Sequence, residues 1–177
     1  MRWMAVALAL SSANALAAAH PFEAQQLAIR GGIQGFLSGF DSTGAAGVTV
    51  SYWGRGGLSG ELTAGEGFGS AVDEGLWLTA LVRYGFTFGE SNANALGLGA
   101  GLSRWSASPF GPALFARSEA FYELRTREGF DLLLGFGPAM ALVRTKTPPA
   151  ESSFFARAPY TPGELGWSLT AGLGWAF

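Results

Sequence analysis

The sequence holds little of what reaction chemistry needs. Its one histidine is His20, and it has no cysteine. Thiolate metal sites, cysteine nucleophiles and disulfides are excluded, and zinc or Ser–His chemistry would have to pass through His20. Ser103, Ser106 and Ser108 have no base partner near them in the chain. Glu66, Asp73 and Glu74 could support carboxylate-only chemistry, but exposed loop acids are ordinarily just solvated. No catalytic residue, metal ligand or cofactor is therefore assigned. The charged residues that do fall in a pattern are Arg30, Arg55, Glu61, Arg83, Arg117, Glu119, Glu123, Arg125 and Asp131. Each sits on the small or polar parity of an alternating segment, and the two signs nearly balance. Such a set forms buried ion pairs or lines a narrow polar path.

The elements that must position these charges follow from composition and period. The chain has 177 residues, enough for one ordinary domain. Charged residues are 14 %, glycines number 27, and mean hydropathy is +0.24. That balance excludes a disordered chain and is unusually apolar for a water-soluble one. A net charge of −2 carries no basic footprint for nucleic acid. Residues 1–19 read as a secretory signal peptide: Arg2, a short apolar core from Trp3 to Leu10, then small residues that place cleavage after Ala17 or Ala19. The apolar core is too short for a spanning helix, which needs about 20 residues.

From residue 20 onward the chain alternates with period two, the signature of strands with two different faces. Eight segments can be drawn: 26–40, 48–55, 58–69, 76–89, 95–105, 113–125, 130–143 and 164–177. The last is the clearest, with Leu165, Trp167, Leu169, Ala171, Leu173, Trp175 and Phe177 opposite glycines and hydroxyl residues. Pro138 has no N–H to donate, so a bulge or a weak ladder is expected there. Tight turns at 56–57, 91–94 and 126–129 alternate with longer connections at 41–47, 70–75, 106–111 and 144–163. This predicts an all-β fold: an eight-stranded antiparallel up-and-down transmembrane β-barrel over residues 20–177.

The faces can be assigned as well. The second parity is mostly Gly, Ala, Ser and Thr, and the only lysine is Lys146. A water-facing sheet would be richer in charge. The large apolar residues are therefore expected to face lipid and the small and charged ones to face inward. Tyr52, Phe86, Phe88, Tyr122, Phe130, Trp175 and Phe177 should form an aromatic girdle at the short-turn end.

This pattern resembles the small eight-stranded outer-membrane β-barrels of Gram-negative bacteria, the OmpA/OmpX-like class. The resemblance covers residues 20–177 and is one of pattern. Its most specific part is the C-terminus, where Thr170, Gly172, Trp175 and Phe177 look like the signal read by the barrel-assembly machinery. The resemblance implies a location in the cell outer membrane. The expected partners are outer-membrane lipids, lipopolysaccharide and that machinery, with the barrel a monomer.

Inside, Arg83 and Glu119 are expected to pair across a glycine floor of Gly97, Gly99 and Gly101. Two strand spacings are about 10 Å, which two long side chains can bridge. Arg117 should join them, and Arg125 should face Asp131 across the third tight turn. Eight strands enclose only enough room for side chains. Phe115, Phe121, Trp77 and Leu81 should fill the rest. The function expected is a structural or surface-contact barrel with a plugged interior and no catalysis. The alternative is a narrow channel for ions or small solutes, gated by the interior Arg/Glu pairs. The long last loop carries Arg144, Lys146, Phe154, Phe155, Arg157 and Tyr160, the residues placed to meet a partner or lipopolysaccharide phosphates.

Overall fold

The computed structural model describes residues 26–38, 41–69, 75–89, 93–106, 113–144 and 162–177. The expected leader, His20, Lys146, Phe154, Phe155, Arg157 and Tyr160 lie outside the described residues. Eight strands run in chain order: β1 Gln26–Ser38, β2 Asp41–Trp53, β3 Leu58–Gly69, β4 Gly75–Phe88, β5 Asn94–Trp105, β6 Ala113–Arg125, β7 Phe130–Arg144 and β8 Leu165–Ala176. Each pairs antiparallel with its neighbours, and β8 returns to β1, so the sheet closes into a barrel. Strands of 12 to 15 residues are about twice the usual soluble length.

Pairing is staggered. A path of paired residues from Arg30 runs through Thr49, Thr63, Thr79, Ser103 and Phe115 to Ala141. There it meets Glu164, whereas Arg30 itself lies opposite Gly174 at the other end of β8. The strands therefore tilt, as closure of a sheet requires, and inward side chains from distant positions reach a common level.

The alternating burial follows the sequence period. On β4 it is unbroken from Leu76 to Phe86, with Trp77, Thr79, Leu81, Arg83 and Gly85 turned inward. Large apolar residues cover the outer wall on all sides. Leu98 is 70 % exposed and Leu62 66 %, while Trp77 and Phe121 inside are at 1 %. The aromatic girdle falls where it is expected. Tyr52, Phe86, Phe88 and Trp175 are exposed and Tyr122, Phe130 and Phe177 half-buried, all within a few residues of the short-turn end.

One expectation is corrected and a second is resolved between its alternatives. Residues 41–47, read as a loop, are strand: β1 and β2 pair without interruption from Gln26–Trp53 to Ser38–Asp41. The first connection at the long-loop end therefore spans only residues 39–40, not a long segment. Gly44, Ala45, Ala46 and Gly47 carry no large apolar side chain, so the alternation is silent there. The wall is completed from the next strand, where the Phe68 ring lies over Gly44, 2.7 Å from where a Cβ would sit. The second concerns β7, where Pro138 shows the weak ladder that was one of its two alternatives and the bulge lies elsewhere. Leu114 pairs with Val143 but Phe115 with Ala141, so the bulge is at Leu142, nearer the loop than Pro138. Leu142, expected on the outward parity, is half-buried, and Val143 takes the exposed position instead. At Pro138 the β6–β7 ladder lapses between Arg117–Ala139 and Ala120–Phe136, yet register is the same on both sides.

The short turns have their own local chemistry. The β2–β3 turn places Gly56 at φ 76° and Gly57 at φ 84°, a left-handed region that a side chain resists. In the β6–β7 turn, the Glu128 carboxylate is held below the usual range, by its own backbone N–H and then by the Thr126 hydroxyl.

Candidate functional site

The inner wall brings four guanidinium groups and four carboxylates into one buried layer. Arg30, Arg83, Arg117 and Arg125 meet Glu61, Glu119, Glu123 and Asp131, all at most 4 % exposed. Isolated charges could not stay there, because desolvation costs several kcal/mol per ion. Pairing removes the problem: each carboxylate touches two guanidiniums. Glu61 lies between Arg30 and Arg83, Glu119 between Arg83 and Arg117, and Glu123 and Asp131 between Arg30 and Arg125.

The Arg83–Glu119 bridge forms as the register predicts. Arg83 is opposite Gly99 on β5, and Gly99 is opposite Glu119 on β6. Arg83 Nε donates to Glu119 Oε1 at 2.7 Å and Arg117 Nη2 to Glu119 Oε2 at 2.9 Å. A Cβ at Gly99 would lie 2.8 Å from Arg83 Cγ and 3.4 Å from Glu119 Cγ. Gly99→Ala should therefore cost about 1–3 kcal/mol, the usual penalty for overpacking. Gly60→Ala on the outer wall, where a Cβ meets nothing within 4 Å, should be neutral or slightly stabilising. Urea unfolding of the two variants side by side checks the contrast.

Arg125 Nε also meets Asp131 Oδ2 at 3.1 Å, as expected across that turn. Sequence reasoning placed Arg30, Glu61 and Glu123 on the inner face without joining them to the cluster. Arg30 in fact touches three of the four carboxylates, Glu61, Glu123 and Asp131. Strand parity carries no information on which distant strands meet; that depends on stagger. Thr170 is a further surprise. It faces inward as its parity predicts, but beyond the C-terminal motif no partner was expected for it; it accepts from Arg117 Nη2 at 2.6 Å and donates to Glu119 Oε2 at 3.1 Å. Gly172 lies beneath Arg30, Trp175 packs edge-on against Phe130 outside, and Phe177 exchanges backbone hydrogen bonds with Leu27. Arg144 ends β7, paired with Ala113. Arg55 falls in the β2–β3 turn.

Above the charges lies a hydroxyl layer. Thr79 Oγ1 accepts from Trp77 Nε1 at 2.8 Å, donates to Gln34 Oε1 at 2.7 Å, and lies 2.8 Å from Ser103 Oγ. Gln34 Nε2 donates to Thr63 Oγ1, which is 2.8 Å from Thr49 Oγ1. Among the described residues, Ser51 Oγ, Trp105 Nε1 and Arg117 Nε are the buried side-chain polar atoms without a hydrogen-bond partner. Toward the long-loop end Phe36, Trp77, Trp105 and Phe115 cluster inside the barrel with Ala45, Ala139 and Ala141. Beside the charges, toward the short-turn end, Trp53, Ala95, Phe121 and Leu133 form a second buried cluster. Arg83 lies over the Phe121 ring at 5.4 Å and Arg125 over Trp53 at 5.8 Å. Trp77, Phe115, Phe121 and Leu81 point inward as expected. Phe36, Trp105 and Leu133 were not foreseen, because each is a single large residue in a noisy or uniformly apolar stretch.

Comparison with known proteins adds one finding. The fold matches the crystal structure of the N-terminal β-barrel domain of Pseudomonas aeruginosa OprF, with a TM-score of 0.55 and 14 % sequence identity, over 86 % of this chain and 97 % of that one. No protein-family model and no curated protein sequence matches the chain. At that identity the likeness is one of fold: a closed, eight-stranded, antiparallel, up-and-down barrel of the OprF kind.

Proposed function

We propose that the chain is an integral outer-membrane β-barrel with a structural or surface-contact role, its interior filled by side chains and without catalysis. The observation that carries this reading is the pairing of the two faces. The outer wall is a continuous belt of exposed large apolar residues, and the inner one is an electroneutral charge layer capped by aromatic rings. A soluble ligand-binding barrel would have these faces exchanged. In this reading residues 1–19 direct export and are removed. The C-terminal Thr170, Gly172, Trp175 and Phe177 serve recognition by the assembly machinery. The basic residues of the last loop, Arg144, Lys146 and Arg157, meet lipopolysaccharide phosphates, with Phe154, Phe155 and Tyr160 beside them.

Two measurements test it. Expressed in a Gram-negative host, the protein should enter the outer-membrane fraction and migrate differently in SDS gels before and after boiling. A soluble periplasmic protein with no shift would overturn the assignment. In planar bilayers the purified barrel should give no unit conductance steps, since in this reading the aromatic layer separates the charges from a continuous aqueous path. Steady steps would favour the alternative, a narrow channel gated by Arg83, Glu119 and their neighbours.

A further inference from the structure

A closed barrel has one junction that no hairpin spans. Strands β1 to β8 follow one another in the chain, but β8 meets β1 only through hydrogen bonds and side chains. Backbone pairs run there from Ala28–Ala176 to Leu37–Trp167. Among the described ion pairs, those of Arg30 with Glu123 and Asp131 are the ones that cross this junction.

Arg30 projects inward from β1 opposite Gly174. Its guanidinium passes over β8 and reaches β7, where Nε donates to Asp131 Oδ1 at 2.8 Å and Nη2 to Asp131 Oδ2 at 3.0 Å. The same Nη2 reaches Glu123 on β6, and Nη1 donates to Glu61 on β3 at 3.2 Å. The path is open because β8 presents glycines beneath it: a Cβ at Gly172 would lie 3.3 Å from Arg30 Cδ. Two more inward residues of β1 add to the hold. Gln26 Oε1 accepts from Arg125 at 2.9 Å and Gln34 Oε1 from Arg117 at 3.3 Å.

We propose that Arg30 is the closure latch of the barrel: it clasps β1 to the β6–β7 hairpin across β8 and so governs how firmly the two ends of the sheet stay paired. The function goes beyond filling the lumen, because Arg83 is equally buried and doubly paired yet joins only β3, β4 and β6. The two arginines therefore form a matched comparison.

Hydrogen exchange of the folded protein in detergent micelles reads the difference strand by strand. In Arg30→Lys, whose single ammonium cannot fork to three carboxylates, backbone amides of β1 and β8 should exchange about tenfold faster, with β3–β4 near the parent rate. In Arg83→Lys the β1 and β8 amides should stay at the parent rate. Equal acceleration of the same peptides in both variants, or an unchanged β1–β8 junction in Arg30→Lys, would overturn the latch. Should Arg30→Lys not yield a closed barrel, the paired positions Ile33 and Ala171 give a second arm. A cross-link through I33C and A171C, oxidised before the barrel is challenged, should restore closure. The same cross-link through L62C and A80C on β3–β4 should not. If neither restores it, Arg30 is needed by the interior as a whole and the proposal fails.

Discussion

Replacing Glu119 with alanine should remove about 3–5 kcal/mol of stability, the range for breaking a buried ion pair by deleting one partner. Glu119 is 2 % exposed and is held by Arg83, Arg117 and Thr170 at once. Its removal leaves four buried guanidiniums facing three carboxylates. Arg83 keeps Glu61, but Arg117 loses the one carboxylate that it touches. The unpaired charge, rather than the lost attraction, dominates the cost. Urea unfolding followed by tryptophan fluorescence measures it, since Trp53, Trp77 and Trp105 are all buried in the lumen. Adding Arg117→Met to the same chain should recover part of the loss, because the orphaned charge goes with it. A loss below about 1 kcal/mol for the single variant would show that water reaches this layer.

Leu98→Arg is the sharpest test of the outer wall. Leu98 is 70 % exposed, so in water its replacement should change stability by no more than about 0.5 kcal/mol. Facing the middle of a bilayer, an arginine should cost about 2–4 kcal/mol, falling to about 0–1 near the interfaces. Leu98 lies mid-strand on β5, opposite Tyr84 and Ala120. Leu165, 71 % exposed, begins β8 at the long-loop rim. The two leucines are alike in exposure and differ in depth. Unfolding from lipid vesicles should separate Leu98→Arg from Leu165→Arg by at least about 1 kcal/mol. Equal and small effects would remove lipid from the outer face.

Most of the barrel was legible because its constraint is periodic. A wall one residue thick with unlike media on its two sides must alternate, and β4, β6 and β8 do so almost without interruption. The glycines of β5 were also legible as a floor, since Arg83 and Glu119 lie at matching positions on either side. What stayed hidden was whatever breaks the period or depends on stagger. Residues 44–47 of β2 are Gly and Ala, and the outer surface at Gly44 is borrowed from Phe68 of the next strand. The bulge at Leu142 sits in an apolar run where either neighbour could face outward. Arg30 meets Asp131 and Glu123 because closure brings the first strand beside the last ones, a relation that no local spacing encodes. Thr170 shows the same limit, as its partner Arg117 is contributed by β6.

The alternation also bears on the chain before any strand has found its neighbour. Beyond residue 19, apolar side chains are interleaved with glycine, hydroxyl or charged residues. No window approaches the roughly 20 apolar residues that would hold an extended segment in a bilayer as a helix. Affinity for hydrocarbon is therefore absent from the polypeptide as written and arises only once strands stand side by side, when the separate residues merge into one surface. On the proposed outer-membrane reading, such a chain passes through one membrane as a thread and lodges in another as a cylinder.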